Sequence, residues 1–259
     1  MGARFSIERL PEIGPKLAAG AGISIVFEIF RRFVIAKNRP ASLKDGKNDQ
    51  YDNITVSLLH SLVSSLLSFY FFWNNPNQLN DLSASGNFQE LATLFTYSYV
   101  WYDLFDMLRT NGFNPLKMKE MIVHHSIMIG GMFTVMQDKI YGNFMLYALN
   151  MEINSIFLHG RALLQMCKQR DTTAFRVVSI INILTNITHR LLINYGIQRW
   201  ALVLCLKKSN PQLSRPPRRI SCATSLGIGQ RRRVRLHNEL DHHFSQYKTA
   251  GKLHSPRPY

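Results

Sequence analysis

Residues 54–73 read ITVSLLHSLVSSLLSFYFFW, an apolar run of 20 residues that contains one ionisable side chain, His60. A run of about 20 mainly apolar residues is long enough for a helix to cross the hydrocarbon core of a bilayer. An ionisable side chain is costly at that depth, and it usually faces another polar group or a wet cavity. The stretch therefore predicts a transmembrane helix and marks His60 as a candidate functional residue.

The same combination recurs along the first 206 residues. We predict six membrane-spanning helices, at residues 17–35, 54–73, 88–108, 121–136, 140–159 and 177–205. The sequence thus predicts an all-α, multispan transmembrane helical bundle. Every predicted span contains ionisable residues, which in chain order include Glu28, Arg31, His60, Glu90, Asp103, Asp106, His124, His125, Glu152, His159, His189 and Arg190.

Charge divides the chain into regions. We predict an N-terminal segment (1–16), a transmembrane domain (17–205) and a tail (206–259). The tail contains 12 Lys and Arg against two acidic residues, and so contributes most of the formal net charge of +15. Without apolar periodicity it is predicted to be disordered. Its basic clusters favour either a solvated tail or contact with anionic lipid, and the lack of interleaved aromatic residues argues against specific nucleic-acid binding.

The basic loops predict the orientation of the spans. Residues 31–52 contain six Lys and Arg, residues 74–87 contain none, residues 109–120 contain three, and residues 160–174 contain three. Cytoplasmic loops of membrane proteins carry an excess of Lys and Arg. The alternation therefore places residues 31–52, 109–120 and 160–174 on the cytosolic side.

This orientation predicts a shared depth for the polar residues of four spans. With a rise of 1.5 Å per residue they lie about 3–10 Å from the cytosolic helix ends. His124 and His125 are about 100° apart around a helix, so one is expected to line a pocket and the other to support it. The alternative is that these side chains only extend to the membrane interface. The residues at this depth are His60, Asp103, Asp106, His124, His125 and Glu152.

Four short motifs then follow one another in a recognisable order. They are Ser57-Leu-Leu-His60-Ser61, Tyr102-Asp103 with Asp106, Glu120-Met-Ile-Val-His124-His125, and Asn150-Met-Glu152-Ile-Asn154-Ser155 through Arg161. Together they resemble the TLC domain, a multispan family of the endoplasmic reticulum that includes the ceramide synthases and a larger group of TLC-domain-containing proteins. The paired histidine after the Tyr-Asp span is the most specific part of the resemblance.

The resemblance implies one of two functions. Ceramide synthases join a long-chain acyl-CoA to a sphingoid base and require the paired histidine, which His124 and His125 match. They also carry a His-Asp-x-x-Asp element in the following span, where this chain reads Asn150-Met151-Glu152-Ile153-Asn154. The sequence is therefore more similar to the non-synthase branch, whose members are associated with membrane lipid composition and lipid homeostasis.

We accordingly predict a membrane protein of lipid homeostasis with a shallow polar pocket that contacts membrane lipids. The first alternative is a ceramide-synthase-type N-acyltransferase, with acyl-CoA as substrate and His124 and His125 as catalytic residues. The second is a chaperone or cargo receptor for membrane proteins. Neither a cofactor nor a metal is predicted, since Cys167, Cys205 and Cys222 lack metal-ligand spacing. The expected location is the endoplasmic reticulum, with the plasma membrane as alternative. The predicted pocket residues are His60, Tyr102, Asp103, Asp106, Glu152, Asn154 and Arg190.

Overall fold

In the computed structural model, residues 10–110 and 118–209 are described, and every regular element within them is helical. The predicted all-helical class is therefore confirmed for this part of the chain, whereas the predicted disorder of the basic tail lies almost wholly outside the described residues. The helices in chain order are α1 (Leu10–Phe30), α2 (Asn48–Asn74), α3 (Asn87–Thr110), α4 (Lys119–Asp138), α5 (Gly142–Leu149), α6 (Glu152–Met166), α7 (Thr173–Thr185) and α8 (Leu192–Ser209).

Two segments that contain arginines are wound as π-helix rather than α-helix. A π-helical turn, Arg31–Ile35, continues α1, and a second one, Asn186–Leu191, joins α7 to α8 and contains Arg190. Single π turns inside α-helices are often found at functional sites. Hydropathy and length make α2 and the continuous helix Thr173–Leu206 long and apolar enough to cross a membrane.

The fifth predicted span is two helices rather than one. The break falls at residues 150–151, where the side-chain amide of Asn150 donates to the carbonyl of Tyr147 at 3.0 Å. Asparagine side chains compete in this way with the helical hydrogen bonds of the backbone. The chain resumes helical winding at Glu152, so this carboxylate lies in the first turn of α6, where the helix dipole favours a negative charge.

Helix α3 is the centre of the bundle. It packs against α1, α2, α4 and α5, and it contributes to all three apolar clusters of the core. Leu94 and Val100 pack with Met132 and Met136 of α4, whereas Tyr102 packs with Phe27 and Val56. Any polar residue on the inner face of α3 is consequently surrounded by neighbouring helices.

Small residues bring α2 close to the α5–α6 pair. Ser57, Ser61, Ser64 and Ser68 of α2 are all buried, and the Ser68 hydroxyl donates to the backbone carbonyl of Leu146 at 2.6 Å. Small residues allow helix backbones in membranes to approach closely. The approach places the polar residues of α2 within reach of those of α6.

The connecting segments pair at two ends of the bundle. The Lys44 amide donates to the Met166 carbonyl at 3.1 Å, which joins two of the basic segments, and the Tyr141 amide donates to the Ser83 carbonyl at 2.9 Å, which joins two segments poor in basic residues. Basic segments thus contact each other, and so do segments poor in basic residues. This is the arrangement expected if basic and poorly basic loops alternate between the two sides of the membrane.

We expect Asp45→Cys and Gln169→Cys to react with a membrane-impermeant maleimide added to the cytosolic side of sealed microsomes. Asn77→Cys should react only after the membrane is permeabilised, because the basic loops face the cytosol. Protection of the first two positions together with labelling of the third would show that the orientation is reversed. The measurement uses a chain in which serine replaces the native cysteines Cys167, Cys205 and Cys222.

Candidate functional site

His60 lies in the interface between α2 and α3. Its ring stacks on Tyr99, with centroids 3.8 Å apart and an angle of 8° between the planes. Its Nε2 lies 2.9 Å from the Ser64 hydroxyl, and only 2% of the residue is exposed. His60 is therefore a packed and hydrogen-bonded residue of the helix interface. The residue of α2 that reaches the neighbouring polar groups is Ser61.

Glu152 of α6 contacts the interface between α2 and α3. The Ser61 hydroxyl donates to Glu152 Oε2 at 2.8 Å, and Glu152 interacts electrostatically with Tyr99 on α3. The side chain is partly exposed. Its position at the start of α6 fixes the carboxylate beside the polar faces of α2 and α3.

The paired histidines have different environments. His125 is 4% exposed; its Nε2 lies 2.9 Å from Asp103 Oδ2 and its Nδ1 lies 2.8 Å from the Met121 carbonyl. Both ring nitrogens face oxygen acceptors, so each of the two hydrogen bonds needs its own proton. The His125–Asp103 pair thus forms a buried link between α4 and α3.

His124 occupies the other position of the pair and remains open. The residue is exposed, and its ring meets that of His125 edge to face, with centroids 5.5 Å apart. It interacts electrostatically with Glu152 and Arg190 as well as Asp103. Of the two histidines, His124 is therefore the one that can contact a ligand. His125 holds α4 against α3 through Asp103.

Arg190 reaches the same place from the second π turn. Its guanidinium donates to the Ser155 hydroxyl of α6 at 3.0 Å, and it interacts electrostatically with His124 and His159. We call His124, Glu152, His159 and Arg190 the open polar cluster. It combines an acid, a guanidinium and two imidazoles contributed by α4, α6 and the π turn.

A second polar network lies beside this cluster. Asn53 of α2 donates to Asp103 at 2.9 Å and to Asp106 at 3.1 Å, and Arg109 donates to Asp106 at 2.7 Å. The Arg31 guanidinium lies 3.9 Å from Asp106. Asp103 also bonds His125. Asn53 therefore connects this second network to the His125–Asp103 pair, which lies beside the open polar cluster.

A comparison with protein families matches the sequence model described as the TLC domain to residues 50–228, more than half of the chain. The chain belongs to the TLC domain family. TLC domain proteins span the membrane several times, so this chain is an integral multispan membrane protein. The matched region contains the open polar cluster and the His125–Asp103 pair.

Individual relatives carry the TLC domain name as well. The chain is 29% identical to TLC domain-containing protein 2 of Danio rerio over 155 residues, which cover 60% of this chain and 62% of that protein. It is 28% identical to TLC domain-containing protein 1 of Gallus gallus over 188 residues, covering 68% and 71%. The chain therefore spans less than two thirds of the Danio rerio relative. No solved structure matches.

The structure divides the predicted pocket residues of this TLC domain into groups. Asn154 is 2% exposed and donates to the Asn182 carbonyl at 2.8 Å, so it packs α6 against α7. Tyr102 is buried against Phe27 of α1. Only Glu152 and Arg190, of the predicted pocket set, share the open polar cluster with His124, whereas Asp103 lies directly behind it.

Several polar residues of this TLC domain protein were missed by the sequence reasoning. Asp52 is completely buried, and Arg39 binds it through two hydrogen bonds of 2.8 and 2.5 Å. Arg31 lies 3.6 Å from the same carboxylate. A signal was available, since a charged residue inside a predicted span, such as Arg31, requires a partner. Among the described residues, no three His, Cys, Asp or Glu side chains group as a metal site.

Proposed function

We propose that this TLC domain protein controls membrane lipid composition by binding a lipid headgroup at the open polar cluster. The observation that carries the proposal is that Arg190 bonds Ser155, three residues after Glu152 on α6, and that both charges interact electrostatically with the exposed His124 beside a buried His125–Asp103 pair. An exposed histidine supported by a rigid, hydrogen-bonded wall is a suitable contact for a polar ligand. The endoplasmic reticulum is the membrane in which we place this activity.

The charges of the cluster indicate what kind of headgroup fits. Arg190 supplies a guanidinium, the side chain that best matches the geometry of a phosphate. Glu152 uses one carboxylate oxygen for Ser61, and its second oxygen is suited to an ammonium group. The two opposite charges both interact with His124. A zwitterionic headgroup with a phosphate and an amine, as in phosphatidylethanolamine, satisfies both charges at once.

Lipid analysis tests this function directly. We expect cells that express the His124→Ala variant to show the same broad shift in phospholipid acyl chains as cells without the protein. We also expect the purified variant to retain about tenfold less phosphatidylethanolamine, because a hydrogen bond to a charged group is lost. Mass spectrometry of total and copurified lipid measures both effects.

A matched histidine provides the control for this experiment. His189 lies next to Arg190 in the chain, but its Nδ1 pairs with the Thr188 hydroxyl at 2.8 Å. The His189→Ala variant should therefore keep the wild-type lipid profile and the wild-type amount of bound lipid. Wild-type behaviour of His124→Ala at normal expression would contradict the proposed function.

An N-acyltransferase is the second candidate, and the pairing of open His124 with supported His125 favours it. In that reaction the amine of a sphingoid base attacks the thioester carbonyl of an acyl-CoA. An amide bond forms, the carbon–sulfur bond breaks, and a general base passes the amine proton to the departing coenzyme A thiolate. We expect the purified protein, given both substrates, to form no ceramide above background, because residues 150–154 lack the histidine and aspartates of the synthases. Ceramide formation that depends on His124 would establish the second candidate instead.

A further inference from the structure

We propose a second lipid site, independent of the open polar cluster, in a groove between α1 and α3 that binds an anionic phospholipid. The groove has a cavity volume of about 570 Å³. Its apolar walls would hold an acyl chain, and Arg32 and Arg109 at one end would hold the phosphate. This site goes beyond the proposed function, since it shares no residue with that cluster.

The length and lining of the groove suit an acyl chain. It runs along α1 from Leu17 to Arg32, a distance of about 22 Å at 1.5 Å per residue. This exceeds the roughly 15 Å depth of hydrocarbon in one leaflet. Small residues form its floor, where the Ser24 hydroxyl donates to the Ser98 carbonyl at 2.8 Å. The groove opens beside Trp101 and Phe105, which are 46% and 60% exposed.

The charged end of the groove carries two exposed arginines, Arg32 and Arg109. Arg32 pairs with Glu28 at 2.5 Å, and Arg109 pairs with Asp106 at 2.7 Å. The side chains of Arg32 and Arg109 are 64% and 37% exposed. An arginine has five N–H donors, and each of these two uses one in the named pair. The remaining donors of the two arginines can bind the oxygens of a phosphate, whose geometry a guanidinium matches.

A buried hydroxyl gives a second, independent indication of a ligand. Tyr102 lines the groove, and only 6% of the residue is exposed. Among the described residues, its hydroxyl is one of two buried side-chain oxygens or nitrogens without a hydrogen-bond partner. Such groups are normally satisfied, so this hydroxyl has a hydrogen bond to offer to a molecule bound in the groove. The basic-loop pattern places this end at the cytosolic leaflet, where anionic lipids are concentrated.

Tryptophan quenching by brominated lipids tests the site in the full chain. A variant with Trp73→Phe and Trp200→Phe leaves Trp101 as the reporter in phosphatidylcholine vesicles. We expect brominated phosphatidylglycerol to quench Trp101 at about fivefold lower mole fraction than brominated phosphatidylcholine, in keeping with the attraction of anionic lipid to basic residues. Equal quenching by the two lipids would overturn the proposal.

Substitutions separate the charged end from the apolar walls. The combined Arg32→Gln and Arg109→Gln variant should lose the fivefold preference but keep the quenching by brominated phosphatidylcholine, which also reports an intact groove. The variant Ala21→Phe should reduce quenching by both lipids, because Ala21 lines the groove and is exposed. A preference that survives the arginine substitutions, or unchanged quenching in Ala21→Phe, would refute the site.

Matched controls distinguish this site from general membrane effects. Ala19→Phe adds the same ring at an exposed position outside the groove lining, and Arg170→Gln removes an exposed arginine elsewhere; both should behave like the parent. A chain with Trp73 as the reporter should show no preference. His124→Ala should retain the Trp101 preference, so failure of this proposal and failure of the proposed function are separate results.

Discussion

Replacing His125 with alanine is expected to lower the free energy of unfolding by about 3 kcal/mol, because it leaves a buried group without its partner. His125 and Asp103 are 4% and 7% exposed and lie 2.9 Å apart. After the substitution, Asn53 is the hydrogen-bond donor that Asp103 keeps among the residues that the structure describes. Denaturant or thermal unfolding in detergent micelles measures the loss.

The neighbouring histidine supplies the control for this prediction. His124 is exposed, so His124→Ala should change the free energy of unfolding by less than about 0.5 kcal/mol. In a double-mutant cycle, adding Asp103→Ala to His125→Ala should cost much less than Asp103→Ala does alone, because the pair acts as a unit. Additive effects of the two substitutions would show that the pair contributes no coupling energy.

Replacing Asp52 with alanine is expected to have an effect of similar size or larger, about 3–5 kcal/mol in the free energy of unfolding. Asp52 is completely buried and neutralises Arg39 and Arg31. Removing it leaves two guanidinium groups without this carboxylate, and the connection between α1 and α2 loses its anchor. Hydrogen exchange at the Lys44 amide, which donates to Met166, should accelerate together with the loss of stability.

Two control substitutions should change the free energy of unfolding less than Asp52→Ala does. Asp45 lies in the same connection but is exposed, so Asp45→Ala should stay within about 0.5 kcal/mol of the wild type. Arg39→Lys keeps the charge but cannot reproduce the two-pronged contact with Asp52, and it should lower stability by about 1 kcal/mol. If Asp52→Ala unfolds like Asp45→Ala, the buried network contributes little to stability.

The structure assigns separate roles to residues that a sequence motif presents together. His124 and His125 are adjacent in the chain, yet one is open to a ligand and the other is bonded to Asp103. Asn154 lies two residues after Glu152, yet it bonds α7. A lipid phenotype in His124→Ala would therefore report on binding, whereas one in His125→Ala would also include instability.

The sequence by itself determined that the chain is helical and which residues are costly in a membrane, but not the break between α5 and α6 at residues 150–151. Those properties are local, because hydropathy and length of a run decide whether a helix forms and spans. The motif around His124 and His125 also identified the TLC domain family, which the family match to residues 50–228 confirms. The charge of the loops predicted the orientation for the same local reason.

Only the tertiary structure decided which polar residues meet. Successive residues of a helix point about 100° apart, so the partner of each side chain depends on how every helix is rotated against its neighbours. That rotation is set by packing around α3, which no local pattern encodes. It brings Arg190 from its π turn to Ser155, pairs Arg39 with Asp52, and places His124 rather than His125 at the open cluster, because His125 is the histidine that faces Asp103.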